Sequence, residues 1–210
     1  MGGHRVSRDE ICRRLASMVT PSRYQHSLRV EEEARRLALR FGANEEVCAL
    51  AGLLHDCARD LPHEELLAQA RALSQAKVDT RLSDPVLLHG IVGAHLAMES
   101  FGVCDSRVLQ AIGLHTTGGV SMSREDKVVC LADYTEPGRA FPGVESIRRA
   151  AQEDLDTALL LGFDCTIRHL INTGRQIDPS TVLARNALLA SVESKGYQRC
   201  QLRKAGGESE

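Results

Sequence analysis

A chain of 210 residues, 43% of them hydrophobic, is long enough for one domain with a substantial core of its own. Its 26 basic and 28 acidic residues leave a formal charge of −2, which excludes the basic footprint that long nucleic acid requires. Seven cysteines stand singly, with no C-x-x-C pair and an odd total, which excludes a disulfide framework and a zinc ribbon.

No apolar run approaches the roughly 20 residues needed to cross a bilayer, and Met1-Gly2-Gly3-His4-Arg5 leads into no apolar signal segment. The expectation is a cytoplasmic protein with no membrane partner and a small ligand. Seven aromatic residues, no Trp, and abundant Leu, Ala, Arg and Glu favour helices over strands.

The pattern predicts nine helices. The first covers about Arg8 to Met18 and stops at Thr20-Pro21, where Thr20 is placed to cap the next and Pro21 to take its first position. The second runs to about Phe41, with an apolar stripe of Val30, Ala34, Leu37 and Ala38 that reaches back four residues to His26. Asn44 caps a third, carrying Val47, Ala51 and Leu54 and delivering His55 and Asp56 at its end. Pro62 opens a fourth, to about Leu73, acidic in its first turn as the macrodipole prefers. Residues 74 to 83 read as a loop.

After Asp84-Pro85, a fifth helix holds His89, Val92, Gly93 and Leu96 on one face. A sixth, about Asp105 to His115, presents Val108, Ala111, Ile112 and His115 together. Thr116-Thr117-Gly118-Gly119 marks a tight turn. Ser123 and Asp126 form a capping box for a seventh, whose buried face reads Val129, Cys130 and Asp133. An eighth, Glu145 to Asn172 with a break near Gln152, and a ninth, Asp178 to Ser194, complete the set. The single domain is expected over residues 1–197, with a fraying tail at 198–210.

Five of these helices place a polar residue where burial is called for: His26, His55 with Asp56, His89, His115 and Asp133. A buried carboxylate without a partner costs several kcal/mol, so Asp133 beside Val129 and Cys130 needs a cation or a dense set of donors. A single histidine on an apolar face is more often a satisfied core residue. Four on four helices, with two carboxylates, point to one metal centre instead. Imidazole and carboxylate without thiolate suit iron, manganese, zinc or cobalt with open coordination positions, which is a catalytic pattern. His4, His63, His95 and His169 carry no such context; His95 lies about 240° round the helix from His89.

His26, His55-Asp56 and Asp133 resemble the metal-binding signature of the HD superfamily of phosphohydrolases. More closely, Leu88-His89-Gly90, His115-Thr116-Thr117-Gly118, Leu131-Ala132-Asp133-Tyr134 and the run Glu136 to Gly143 resemble the YqeK family of bacterial symmetrical bis(5'-nucleosyl)-tetraphosphatases. The resemblance implies an all-α HD-type helical bundle with a central metal site, and cleavage of diadenosine tetraphosphate into two ADP. It implies iron, as one or two ions. His26, His55, Asp56 and Asp133 would hold the first ion. His89 and His115 would either hold a second, bridged by Asp56, or contact the polyphosphate, which makes Asp56, His89 and His115 the candidate catalytic residues. Thr116 and Arg139 would hold the ADP part, and Arg59, Lys127 and Arg175 are candidate phosphate contacts.

Two positions depart from the family pattern: Arg59 replaces the usual Lys, and Gly119 the usual base. Alternative activities are another HD-type nucleotidase or phosphodiesterase, or a non-enzymatic metal- or nucleotide-binding module. A homodimer is left open.

Overall fold

Caps and breakers set most helix ends. The computed structural model describes residues 6–73 and 85–194, and among these it holds ten α-helices and no strand. They are α1 Arg8–Met18, α2 Pro21–Phe41, α3 Glu45–Leu54, α4 His63–Leu73, α5 Pro85–Phe101, α6 Ser106–Leu114, α7 Arg124–Thr135, α8 Val144–Ala150, α9 Leu155–Asn172 and α10 Pro179–Ser194. The all-α expectation holds, with ten helices rather than nine. The break expected near Gln152 separates α8 from α9, because Asp154 turns its carboxylate back to accept from the Thr157 N–H at 2.8 Å and so starts a new helix. The predicted loop at 74–83, the tail at 198–210 and His4 lie outside the described residues.

Asn44 caps α3 through the Val47 N–H, and Ser123 with Asp126 closes a reciprocal capping box on α7. Thr20 differs from its expected role. It stands at the N-cap of α2, yet its N–H and hydroxyl both donate to Asp60, at 2.7 and 2.9 Å, which ties the start of α2 to the turn after α3.

The bundle is built round α7, which packs on α2, α3, α6, α8 and α9. Residues Val128 to Ala132 are buried without interruption, so this helix has an apolar girdle rather than a stripe. The apolar stripe of α2 faces it through Val30, Ala34, Leu37 and Ala38, all fully buried. A smaller cluster of Ala58, Leu66, Ala70, Leu88 and Val92 joins α4 to α5.

Two close approaches decide where the histidines meet. A Cβ at Gly52 would come within 3.0 Å of the Val30 carbonyl oxygen, so only glycine lets α3 lie this close to α2. At Gly90 a Cβ would come within 3.0 Å of the Gly113 carbonyl oxygen, which fixes α5 against α6 in the same way. The first brings His55 to His26; the second brings His89 to His115. Among the described residues, no helix is long and apolar enough to cross a membrane.

Candidate metal centre

His55 and His115 occupy the same local position, directly after the last residue of α3 and of α6. The last carbonyls of a helix lack an intrahelical donor. Each ring supplies one: His55 Nδ1 lies 2.7 Å from the Gly52 oxygen and His115 Nδ1 lies 2.7 Å from the Ile112 oxygen. A carbonyl only accepts, so Nδ1 carries the proton and the Nε2 lone pair faces inward. His26, inside α2, has its Nδ1 held differently, 3.0 Å from Glu136 Oε1.

The inward nitrogens converge on two carboxylates. His26 Nε2 lies 3.2 Å from His55 Nε2 and 3.0 Å from Asp133 Oδ1. Asp56 stands between two sets: Oδ2 is 3.6 Å from His55 Nε2 and 3.8 Å from His26 Nε2, while Oδ1 is 3.1 Å from His89 Nε2 and 3.8 Å from His115 Nε2. His89 and His115 approach to 2.9 Å through Nε2. All these residues are buried except Asp133, whose side chain is 23% exposed and forms the mouth of the site.

The field is that of a cation site. Burial opposes ionisation of Asp56, yet His55, His89 and His115 hold its carboxyl well below the usual carboxylate range. Burial likewise opposes ionisation of Asp133, and Arg139 and His26 lower it past the normal range. Burial pushes His55 down, and burial with the neighbouring His89 and His55 takes His115 to about 3. At His26 burial acts downward, but the hydrogen bond and charge of Asp133 outweigh it and raise the imidazole.

The residues fit a divalent metal on the chemistry of the donors alone. Two lone pairs facing each other at 3.2 Å, His26 and His55, repel unless a cation or proton lies between them. Ligand atoms at about 2.0–2.2 Å from one ion stand roughly 3 Å apart along the edges of its shell, and the spacings here run from 2.9 to 3.8 Å. Two groups of three, His26, His55 and Asp56, then Asp56, His89 and His115, share Asp56.

Thr116 Oγ1 lies 3.0 Å from His115 Nε2 and 3.3 Å from His89 Nε2, at the edge of the second group. Arg139 binds Asp133 twice, through Nη2 to the carboxylate and through Nε to the main-chain oxygen at 2.7 Å. Arg59 lies in the turn after α3, its N–H donating to the Asp56 carbonyl at 2.9 Å. Lys127 is placed elsewhere: its ammonium pairs with Asp156 at 2.7 Å and lines a separate cavity with Phe41 and Arg124. Arg175 is exposed in the turn after α9.

Sequence reasoning passed over Arg23, Arg29 and Glu136. Arg23 Nη1 donates to Asp56 Oδ2 at 2.7 Å, and Arg29 Nε to Glu136 Oε2 at 2.6 Å. The available signal was spacing: Arg23 and Arg29 stand three residues either side of His26, and Glu136 three after Asp133, which helical geometry puts on neighbouring positions of one face. His169, read as unremarkable, lines a cavity of about 680 Å³ that opens beside Asp133, with Tyr134, Arg139, Phe141, Pro142 and Asn172.

The HD domain family model matches residues 23–138, a span that holds every member of the cluster. The chain is 36% identical over 187 residues to a symmetrical bis(5'-nucleosyl)-tetraphosphatase of Bacillus subtilis (strain 168), covering 88% of this chain and 99% of that protein. It is 40% identical over 172 residues to the protein of the same description from Halalkalibacterium halodurans, covering 81% and 91%. A crystal structure of an HD superfamily hydrolase described as involved in NAD metabolism, from Clostridium acetobutylicum, superposes with a TM-score of 0.85 at 40% identity, covering 90% of this chain and all of that one. The chain belongs to the HD-domain family, and within it to the group of the symmetrical bis(5'-nucleosyl)-tetraphosphatases.

Proposed function

We propose that the protein is a divalent-metal hydrolase that cuts diadenosine tetraphosphate between its second and third phosphates, releasing two ADP. The observation that carries this is the convergence of four Nε2 atoms and two carboxylates on a buried site next to the 680 Å³ cavity. His26, His55, Asp56 and Asp133 would hold one ion, with iron the expected metal and manganese, cobalt and zinc compatible with the same donors. The chemistry such an ion supplies when bound is acidification of water toward neutral pH and neutralisation of phosphoryl charge.

The chain's own groups supply the rest. Three of the four rings have Nδ1 committed to an acceptor; His89 Nδ1 is buried with no partner among the described residues. Its tautomer is therefore free to change, which suits a ring that donates Nε2–H to a phosphoryl oxygen better than one locked as a ligand. Thr116, on the same side, adds a hydroxyl donor. Arg139 pairs with Asp133 and lines the cavity, which supports a role for it in binding phosphate with Asp133 keeping it oriented. Tyr134, Phe141 and Pro142 offer apolar surface for one nucleoside, and Arg168, His169 and Asn172 a polar rim. With a nucleoside seated there, the phosphate chain runs past Asp133 into the cluster.

Asp133→Ala tests the reading. The variant should lose bound metal and turnover of diadenosine tetraphosphate together, since the site would be short of a carboxylate and Arg139 of its partner. Elemental analysis showing stoichiometric metal in this variant, with turnover retained, would contradict the assignment. A panel of nucleoside monophosphates and cyclic dinucleotides assayed beside it separates the tetraphosphatase from other HD-type activities.

A further inference from the structure

One imidazole of the centre is bracketed by two carboxylates from a single turn of one element. Asp133 and Glu136 stand three residues apart at the end of α7 and meet opposite nitrogens of His26: Asp133 Oδ1 lies 3.0 Å from Nε2, and Glu136 Oε1 lies 3.0 Å from Nδ1. His55 and His115 follow a helix end and find a free carbonyl for Nδ1. His26 is the sixth residue of a 21-residue helix, where nearby carbonyls already accept from the next turn. A side-chain carboxylate takes the place of the missing carbonyl.

Glu136 is held in that position from every side. It is 1% exposed, and its oxygens accept from Arg29 Nε at 2.6 Å and from the Gly138 N–H. With two fixed donors already on it, the group facing His26 is an acceptor, so Nδ1 must carry a proton, and Nε2 is the nitrogen left to give its lone pair to a metal.

We propose that Glu136 is a positioning residue of the centre: it locks the His26 ring in the Nδ1–H form and thereby sets metal affinity, without touching substrate. The inference rests on the reading of the cluster as a metal centre. A hydrogen bond to the far nitrogen of a ligating histidine fixes ring orientation and raises ligand basicity, and its loss typically costs about 10–100-fold in affinity.

The test is equilibrium titration of the metal-free full-length protein with Mn²⁺, comparing wild type, Glu136→Gln, Glu136→Asp and Arg148→Met. Glutamine keeps the shape but can offer Nδ1 a donor, which permits the opposite tautomer. Aspartate keeps the charge and withdraws it by one methylene. Both should bind Mn²⁺ about 10–100-fold more weakly. Arg148 donates to the carbonyls of Thr135, Glu136 and Arg139, so Arg148→Met loosens the same segment without touching the His26 pair. It should lower the melting temperature and leave Mn²⁺ affinity at the wild-type level.

In the zinc-loaded protein, ring-nitrogen NMR should show His26 as Nδ1–H in wild type and a mixed or reversed tautomer in Glu136→Gln. Should glutamine prevent folding, the aspartate variant carries the comparison. Folded Glu136 variants with wild-type affinity would overturn the inference, as would an affinity loss in Arg148→Met that matches theirs in proportion to stability. A wild type that takes up no metal removes the metal-centre reading itself and this inference with it.

Discussion

Burial and neighbouring charges shift His26, His55, Asp56, His115 and Asp133, and the histidine shifts set a pH dependence in the metal-free protein. Burial and the adjacent rings take His115 to about 3, from an ordinary value of 6.5, and burial also lowers His55. As pH falls through 6.5 the unfolded chain binds protons that the folded chain refuses, so these two histidines destabilise the fold progressively below that point. His26 is shifted upward by Asp133 against its burial and contributes in the opposite sense, its stabilisation lost as pH rises. At pH 5 the His115 contribution alone amounts to about 2 kcal/mol of lost stability relative to pH 7.5. Urea unfolding of chelator-treated protein at the two pH values should show wild type losing more stability toward pH 5 than His115→Asn, which cannot titrate there. Equal slopes in the two proteins would contradict a buried neutral His115. Legibility in the sequence followed the same contrast between residue and surroundings. His26, His55, Asp56, His89, His115 and Asp133 stand out because each is polar on an apolar face. Arg23 and Glu136 do not, since a charged residue beside a helix start or in a post-helix turn is ordinary until its partner is seen.

The helices place these residues through ends and close approaches more than through long stripes. α3 and α6 are both short and both end in Leu-His, each ring closing the last turn on the carbonyl three residues back. That ending was visible in the sequence as an apolar periodicity stopping at a histidine, although its hydrogen bond was not. The split between α8 and α9 was foreshadowed near Gln152, where Gln-Glu-Asp interrupts the apolar pattern. The use of Thr20 to bind Asp60 was not, because the two lie 40 residues apart. Close approach gives a test at this scale. Gly90→Ala places a methyl within 3.0 Å of the Gly113 carbonyl oxygen, a backbone atom that cannot rotate away. α5 must shift off α6, at a cost of about 1–3 kcal/mol, and His89 moves relative to Asp56. Calorimetry should record a melting temperature lower by roughly 2–4 °C per kcal/mol, and turnover should fall more than the folded fraction does. An unchanged melting temperature with full activity would show that the α5–α6 contact is looser than the structure has it.

In the molecule as a whole, the cluster comes from five segments spread between residues 26 and 133, and an ion held by His26, His55, Asp56 and Asp133, as proposed, would tie together α2, the end of α3 and α7. A ligand that binds only the folded state stabilises it by about 4 kcal/mol at a thousand times its dissociation constant. Chelation should therefore lower the melting temperature well beyond the effect of any single surface substitution, and Mn²⁺ should restore it; equal melting curves with and without chelator would argue against a site that spans the bundle. The fold class was legible because helix-period patterning and caps agreed along most of the chain. The cavity beside Asp133 was not, because Tyr134, Phe141 and His169 come together only when α7 and α9 pack. The most direct test of the account is the identity of the products released when metal-replete protein acts on diadenosine tetraphosphate. ADP should be the sole nucleotide, two per substrate consumed, with none formed in the presence of chelator. AMP together with ATP would contradict symmetrical cleavage.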